Sequence, residues 1–208
     1  MANTGSWRLA GKVITIAHEG GHALVSVLSG RRLDGIRLHP DSSGVTYSRG
    51  KRDGPGLVLT AAAGYLMPSL LGAGAAWLLA ERHLIAMLWL ALVLLVATFL
   101  AIRNVFGAVA VLATAAAVFA VSYYAPAAVQ AGFAYLSVWF LLFGGIRPVL
   151  ELIRGRRRRR NWARGSDADQ LARMTGVPAG VWIALFALVA VAALAVGVLL
   201  LTPSGWLS

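Results

Sequence analysis

Residues 9–28 read LAGKVITIAHEGGHALVSVL, an apolar stretch broken by His18, Glu19 and His22. Its length matches the roughly 20 residues a helix needs to cross about 30 Å of hydrocarbon. Counting it as a span gives the chain six membrane helices; leaving it out gives five. Three ionisable side chains inside an apolar helix cost several kcal/mol unless they are paired or liganded, and such groups mark a functional site by default. They favour the six-span reading. The segment does not read as a signal peptide, because no small-x-small cleavage site follows it.

The rest of the chain supplies five more apolar blocks of similar length, at 57–80, 84–102, 105–125, 133–150 and 179–201. The 208 residues are 59% hydrophobic and only 13% charged, and mean hydropathy is +0.73. Soluble domains carry about 25% charged residues, so a water-soluble globule is excluded. The predicted fold is a single all-α polytopic membrane domain over residues 1–208, with about six transmembrane helices. No internal repeat is visible. The absence of cysteine excludes disulfides, thiolate nucleophiles and thiolate metal ligands. A transition-metal site must draw on the 4 histidines and 8 carboxylates.

The net charge of +11 is unevenly placed. In the six-span arrangement, the loops after spans one, three and five hold sixteen of the basic residues. The other side holds Arg8, Lys12 and Arg82. The positive-inside rule therefore predicts cytoplasmic basic loops and both termini outside, in a multi-pass cell-membrane protein. The run Arg156 to Arg160 reads as an anchor for anionic lipid headgroups, about 1 kcal/mol per basic residue. It carries no interleaved aromatics for base stacking, so no nucleic-acid partner is expected.

Between the first two spans, Ile36 and Leu38 alternate with Arg37 and His39. Pro40-Asp41-Ser42-Ser43-Gly44 supplies turn chemistry, and Val45 and Tyr47 alternate again. This predicts a short cytoplasmic β-hairpin.

The most specific motif is His18-Glu19-Gly20-Gly21-His22, an HExxH. Chance alone gives on the order of 0.001 such patterns in this composition. Spacing of i, i+4 puts both imidazoles on one helix face, where they can fill two positions on a tetrahedral zinc ion. Glu19, beside that face, can take a proton from an attacking water and deliver it to a leaving amine. Gly20 and Gly21 cost about 1 kcal/mol each inside a helix. They admit close approach of a neighbouring helix or of substrate backbone.

HEGGH on the first core helix, a hairpin-like loop after it, and the small-residue span Ala61-Ala62-Ala63-Gly64-Tyr65-Leu66-Met67-Pro68 together resemble the site-2 protease family of intramembrane zinc metalloproteases, in its compact bacterial and plant branch. Arg103-Asn104-Val105-Phe106-Gly107 and the stretch Gly165-Ser166-Asp167-Ala168-Asp169-Gln170-Leu171-Ala172 also fit that branch. The resemblance implies one zinc ion (Zn2+) per chain, bound by His18 and His22, with Glu19 as catalytic base. It implies hydrolysis of peptide bonds within or near membrane segments of substrate proteins.

The chain departs from the family in its third ligand, which is usually an Asp in an LDG-like motif on a later membrane helix. The only literal LDG is Leu33-Asp34-Gly35, just after the HEGGH helix, and Asp-Gly is more often a turn. Asp167 is the first choice, with Asp169, Glu151 and Asp34 as alternatives, since a catalytic zinc takes three protein ligands. Ser166 also reads as an N-cap, with Asp167 and Asp169 in the first turn of a short helix ending near Gly176, where carboxylates are stabilised without a metal. Asn104 resembles the family Asn that precedes the LDG segment; it can bind substrate backbone or cap the helix beginning at Val105. His39 and His83 read as a solvated and an interfacial histidine.

Two other function classes remain open at this point. A catalytically silent metal-binding membrane scaffold or adaptor would keep the HExxH helix without turnover. A transporter is disfavoured, because no ionisable residue lines 105–125 or 133–145.

Overall fold

The computed structural model of the protein describes residues 4–157 and 165–202. In chain order the elements are α1 (Thr4–Leu28), β1 (Arg32–Leu38), β2 (Gly44–Arg49), α2 (Pro55–Ala80), α3 (Leu84–Ala101), α4 (Val105–Tyr124), α5 (Ala127–Arg157), α6 (Asp167–Thr175) and α7 (Ala179–Leu201). Among the described residues, five helices, α2, α3, α4, α5 and α7, are long and apolar enough to cross a membrane. α1, with 25 residues, matches them in length but is less apolar because of its ionisable residues. The expected multi-pass helical fold with one small sheet is thus present. Arg158 to Arg160, most of the predicted lipid anchor, lie outside the described residues, as do both chain ends.

α2 is the central helix and packs against α1, α3, α5, α6 and α7. Its stretch Ala61-Ala62-Ala63-Gly64 is buried, and such small side chains let neighbouring backbones approach closely where lipid supplies no hydrophobic drive. Gly21 of α1 meets α2 in this way: a Cβ there would stand 2.5 Å from Cβ of Met67 and 3.0 Å from the Ala63 carbonyl oxygen. At the opposite extreme, Leu100, Val105 and Leu199 are 70%, 82% and 68% exposed. That surface would be a liability in water and is what a lipid-facing bundle requires.

α5 extends beyond the apolar block at 133–150 in both directions. Its start is fixed by a tight turn from α4, where Gln130 Nε2 donates to the carbonyls of Ser122 and Ala125. Its polar end continues as helix, with Arg147 Nε donating to Glu151 Oε1 at 2.8 Å, an i, i+4 pair.

The hairpin forms as predicted. β1 and β2 are antiparallel, with Ile36 opposite Thr46 and Leu38 opposite Gly44, and a bulge between Leu33 and Gly35. Ile36 and Leu38 are buried, while Val45 and Tyr47 are exposed. The buried face lies on α1, where Thr15 Oγ1 donates to the Ser42 carbonyl at the hairpin tip, 2.8 Å away.

The two edges of this sheet differ. The outer side of β1 is occupied by the α3–α4 junction. The Arg103 N–H donates to the Ile36 carbonyl at 2.8 Å. The Asn104 amide bonds both backbone groups of Leu38, at 3.2 and 2.8 Å. Ile36 and Leu38 therefore point their backbone groups away from β2. By antiparallel alternation, their partners Thr46 and Gly44 point theirs away from β1. Among the described residues, no backbone hydrogen bond reaches that outer edge of β2. Asn104 occupies the residue before α4 but makes no capping bond with its side chain; its amide serves as a strand partner instead.

Candidate metal centre

His18 and His22 lie one turn apart on α1, so their rings meet on one face, with Nε2 atoms 3.1 Å apart. The third group arrives from α6. Asp167 Oδ2 lies 3.2 Å from Nε2 of His18 and 3.2 Å from Nε2 of His22. Three donor atoms thus form a nearly equilateral triangle. Tetrahedral zinc with bonds of about 2.0–2.1 Å requires ligand atoms about 3.3 Å apart. The donor set and its spacing fit such an ion, and these three residues form the metal-capable cluster found among the described residues.

Each arm of the triangle is held by a different part of the fold. His22 Nδ1 stands 2.6 Å from the carbonyl oxygen of Thr60 on α2. A carbonyl only accepts, so Nδ1 carries a proton and Nε2 is the ring nitrogen turned toward the site. His18 is edge-on to Tyr65, with ring centroids 5.0 Å apart, and Tyr65 stacks on Phe186 of α7, also at 5.0 Å. Phe186 is fully buried, so the aromatic stack is anchored in the core.

Asp167 is positioned by the packing of α6. Ala168 and Leu171 are fully buried in a cluster with Ala61, Ala62, Val149 and Leu152. Ser166 caps the helix, and Gly176 ends it in the left-handed conformation at φ 72°. The cap's partner is Asp169, not Asp167: Ser166 Oγ donates to Asp169 Oδ2 at 2.9 Å and accepts from the Asp169 N–H. Asp169 is also ion-paired with Arg156 at the end of α5. One short helix therefore carries two carboxylates with separate partners. Burial pushes the Asp167 carboxyl up, but the two imidazoles beside it more than reverse this and hold it well below the usual carboxylate range.

The remaining alternatives stand elsewhere. Glu151 is paired with Arg147, and Asp34 with Arg49 on the hairpin, at 2.6 Å. The bond to Asp34 raises the already high proton affinity of Arg49. Asn104, at the α3–α4 junction, lies against β1, with its amide bonded to Leu38. Glu19 is 4% exposed, and its carboxylate accepts from Thr46 Oγ1 at 2.6 Å.

Three features of the site carry no strong sequence signal. The Thr60 carbonyl is a backbone group, and any residue supplies one. Tyr65 lies within the Ala61–Pro68 stretch, but its contact with His18 depends on the α1–α2 crossing. Gly64 is the third. A Cβ at Gly64 would overlap Nε2 of both His18 and His22, so the missing side chain leaves open the space between the donor atoms.

Searches of curated proteins and of solved structures returned no significant match. A family model did match, that of peptidase M50B-like proteins, over residues 1–197. With nearly the whole sequence covered, the chain belongs to the peptidase M50B-like family, the site-2 protease family of intramembrane metalloproteases.

Proposed function

We propose that the protein is a zinc-dependent endopeptidase that cleaves substrate proteins in or near their membrane segments, acting as one domain over residues 1–208. The observation that carries this reading is the triangle of His18, His22 and Asp167 with the buried carboxylate of Glu19 on the adjoining helical position. In this reading His18, His22 and Asp167 hold zinc. When bound, zinc supplies Lewis-acid polarisation of the scissile carbonyl and lowers the pKa of water.

The chain's own residues do the rest. Glu19 accepts a proton from the attacking water at a carboxylate oxygen and returns it to the leaving amine nitrogen. The Thr60 carbonyl and Tyr65 keep the two imidazoles oriented. A helical peptide bond is inaccessible because its backbone groups are already paired, so the substrate must unwind locally. The open edge of β2 at Gly44 and Thr46 offers backbone donors and acceptors that an unwound segment can pair with, by strand addition. Asn104 supports this edge indirectly, by holding β1.

The basic loops face the cytoplasm in this reading and both termini lie outside. The arginine run from Arg156 to Arg160 contacts anionic headgroups.

Glu19→Gln tests the reading. A protease loses cleavage and retains its zinc. A metal-binding scaffold loses nothing it does, and unchanged cleavage by the variant would remove Glu19 from the mechanism.

A further inference from the structure

We propose that Thr46 is a positioning residue for Glu19, tying the orientation of that carboxylate to the strand whose open edge lies beside it. The inference rests on the reading of Glu19 as the base.

Glu19 is buried, and a buried carboxylate without donors is strongly disfavoured. Thr46 Oγ1 stands 2.6 Å from Glu19 Oε2 and 3.1 Å from the Glu19 carbonyl oxygen. The hydroxyl has one proton, and the shorter distance assigns it to the carboxylate. Among the described residues, no other side-chain or backbone donor is bonded to that carboxylate. The other carboxylate oxygen lies against Gly44. A Cβ at Gly44 would stand 2.6 Å from Glu19 Cγ and 2.8 Å from Oε1. One residue of β2 therefore fixes the carboxylate by a hydrogen bond, and its register neighbour on the same face fixes it by shape.

The same two residues carry the backbone groups that point out of the sheet toward the open edge. A segment pairing with β2 stiffens the strand that holds Glu19. Thr46 thereby connects the presence of an added strand to the geometry of the base, and a base held within hydrogen-bond reach of its proton is what general-base catalysis demands. An error of about 1 Å in such placement lowers turnover by about a hundredfold.

The test uses the full-length protein and the variants Thr46→Val, Thr46→Ser and Gly44→Ala. The chain holds only three glutamates, Glu19, Glu81 and Glu151. Glutamate labelled with 13C at the side-chain carboxylate therefore gives three resonances, with Glu19 identified by its loss in Glu19→Gln. Turnover is read on a single-span fusion protein with a Gly-Pro break in its apolar segment, co-reconstituted in vesicles.

Thr46→Val is expected to shift the Glu19 resonance and to lower kcat by about tenfold to a hundredfold. KM and zinc content stay unchanged. Thr46→Ser restores both resonance and kcat, and Gly44→Ala behaves like Thr46→Val. An unmoved Glu19 resonance in Thr46→Val overturns the proposal. So does a change confined to KM, which would make Thr46 a substrate contact alone. If Glu19→Gln cleaves normally while Thr46→Val still shifts the resonance, the hydrogen bond stands and the reading of Glu19 as base is what fails.

Discussion

Gly64 stands against the imidazole of His22 with no room between them for one methyl group. α2 thus comes close to the α1 imidazoles where the donor atoms converge. Gly64→Ala gains up to about 1 kcal/mol of helix propensity, but its methyl overlaps both imidazoles, and such overpacking costs about 1–3 kcal/mol. The added methyl competes for the space between the imidazole nitrogens. Zinc affinity is expected to fall at least about tenfold, in the range seen when the surroundings of a metal site are disturbed. Competition with a chromophoric chelator measures this, and a thermal melt should show a modest drop from the overpacking.

Asp169 and Asp167 are two residues apart on α6 and have different tasks. Asp169 bonds Ser166 and pairs with Arg156, so Asp169→Ala, which leaves the Ser166 cap on the backbone N–H in place, should cost stability by about 1 kcal/mol through the lost hydrogen bond and ion pair. Its zinc content should match wild type. Calorimetry and metal analysis on the same detergent preparation check both halves.

Strand addition at β2 predicts sensitivity to a proline that removes an outward N–H. By alternation from Thr46, Ser48 presents its N–H to the open edge, and proline is tolerated on edge strands. Ser48→Pro should raise KM several-fold while kcat at saturation and zinc content hold. Titration of the single-span fusion substrate separates the two constants.

Much of this was legible in the sequence, and the gaps have physical reasons. The spacing of His18 and His22 survives because a helix converts i, i+4 directly into one face. The hairpin was legible from period-two alternation around turn residues. Asp167 was ambiguous because a carboxylate in a first helical turn is favoured with or without a metal. What resolves its neighbours is tertiary: Ala168 and Leu171 seat α6 against α2 and α5, and no local pattern encodes that docking. Hydropathy marks the thickness of the apolar zone and not the full length of α5. The helix continues past it through Arg147 and Glu151. Thr60 and Gly64 act through a backbone carbonyl and an absent side chain, which have no periodic signature. The sequence around Asn104 points to a cap or a substrate contact, whereas its bonds to Leu38 depend on a segment far away in the chain.

The zinc-to-protein ratio of the purified wild type, with His22→Ala and Asp167→Ala beside it, decides whether these residues hold the metal. About one zinc per wild-type chain is expected, with none in His22→Ala and most of it lost in Asp167→Ala, as for a site with three protein ligands. A wild type that holds no zinc after reconstitution with the metal, or an Asp167→Ala that keeps it in full, would contradict the account.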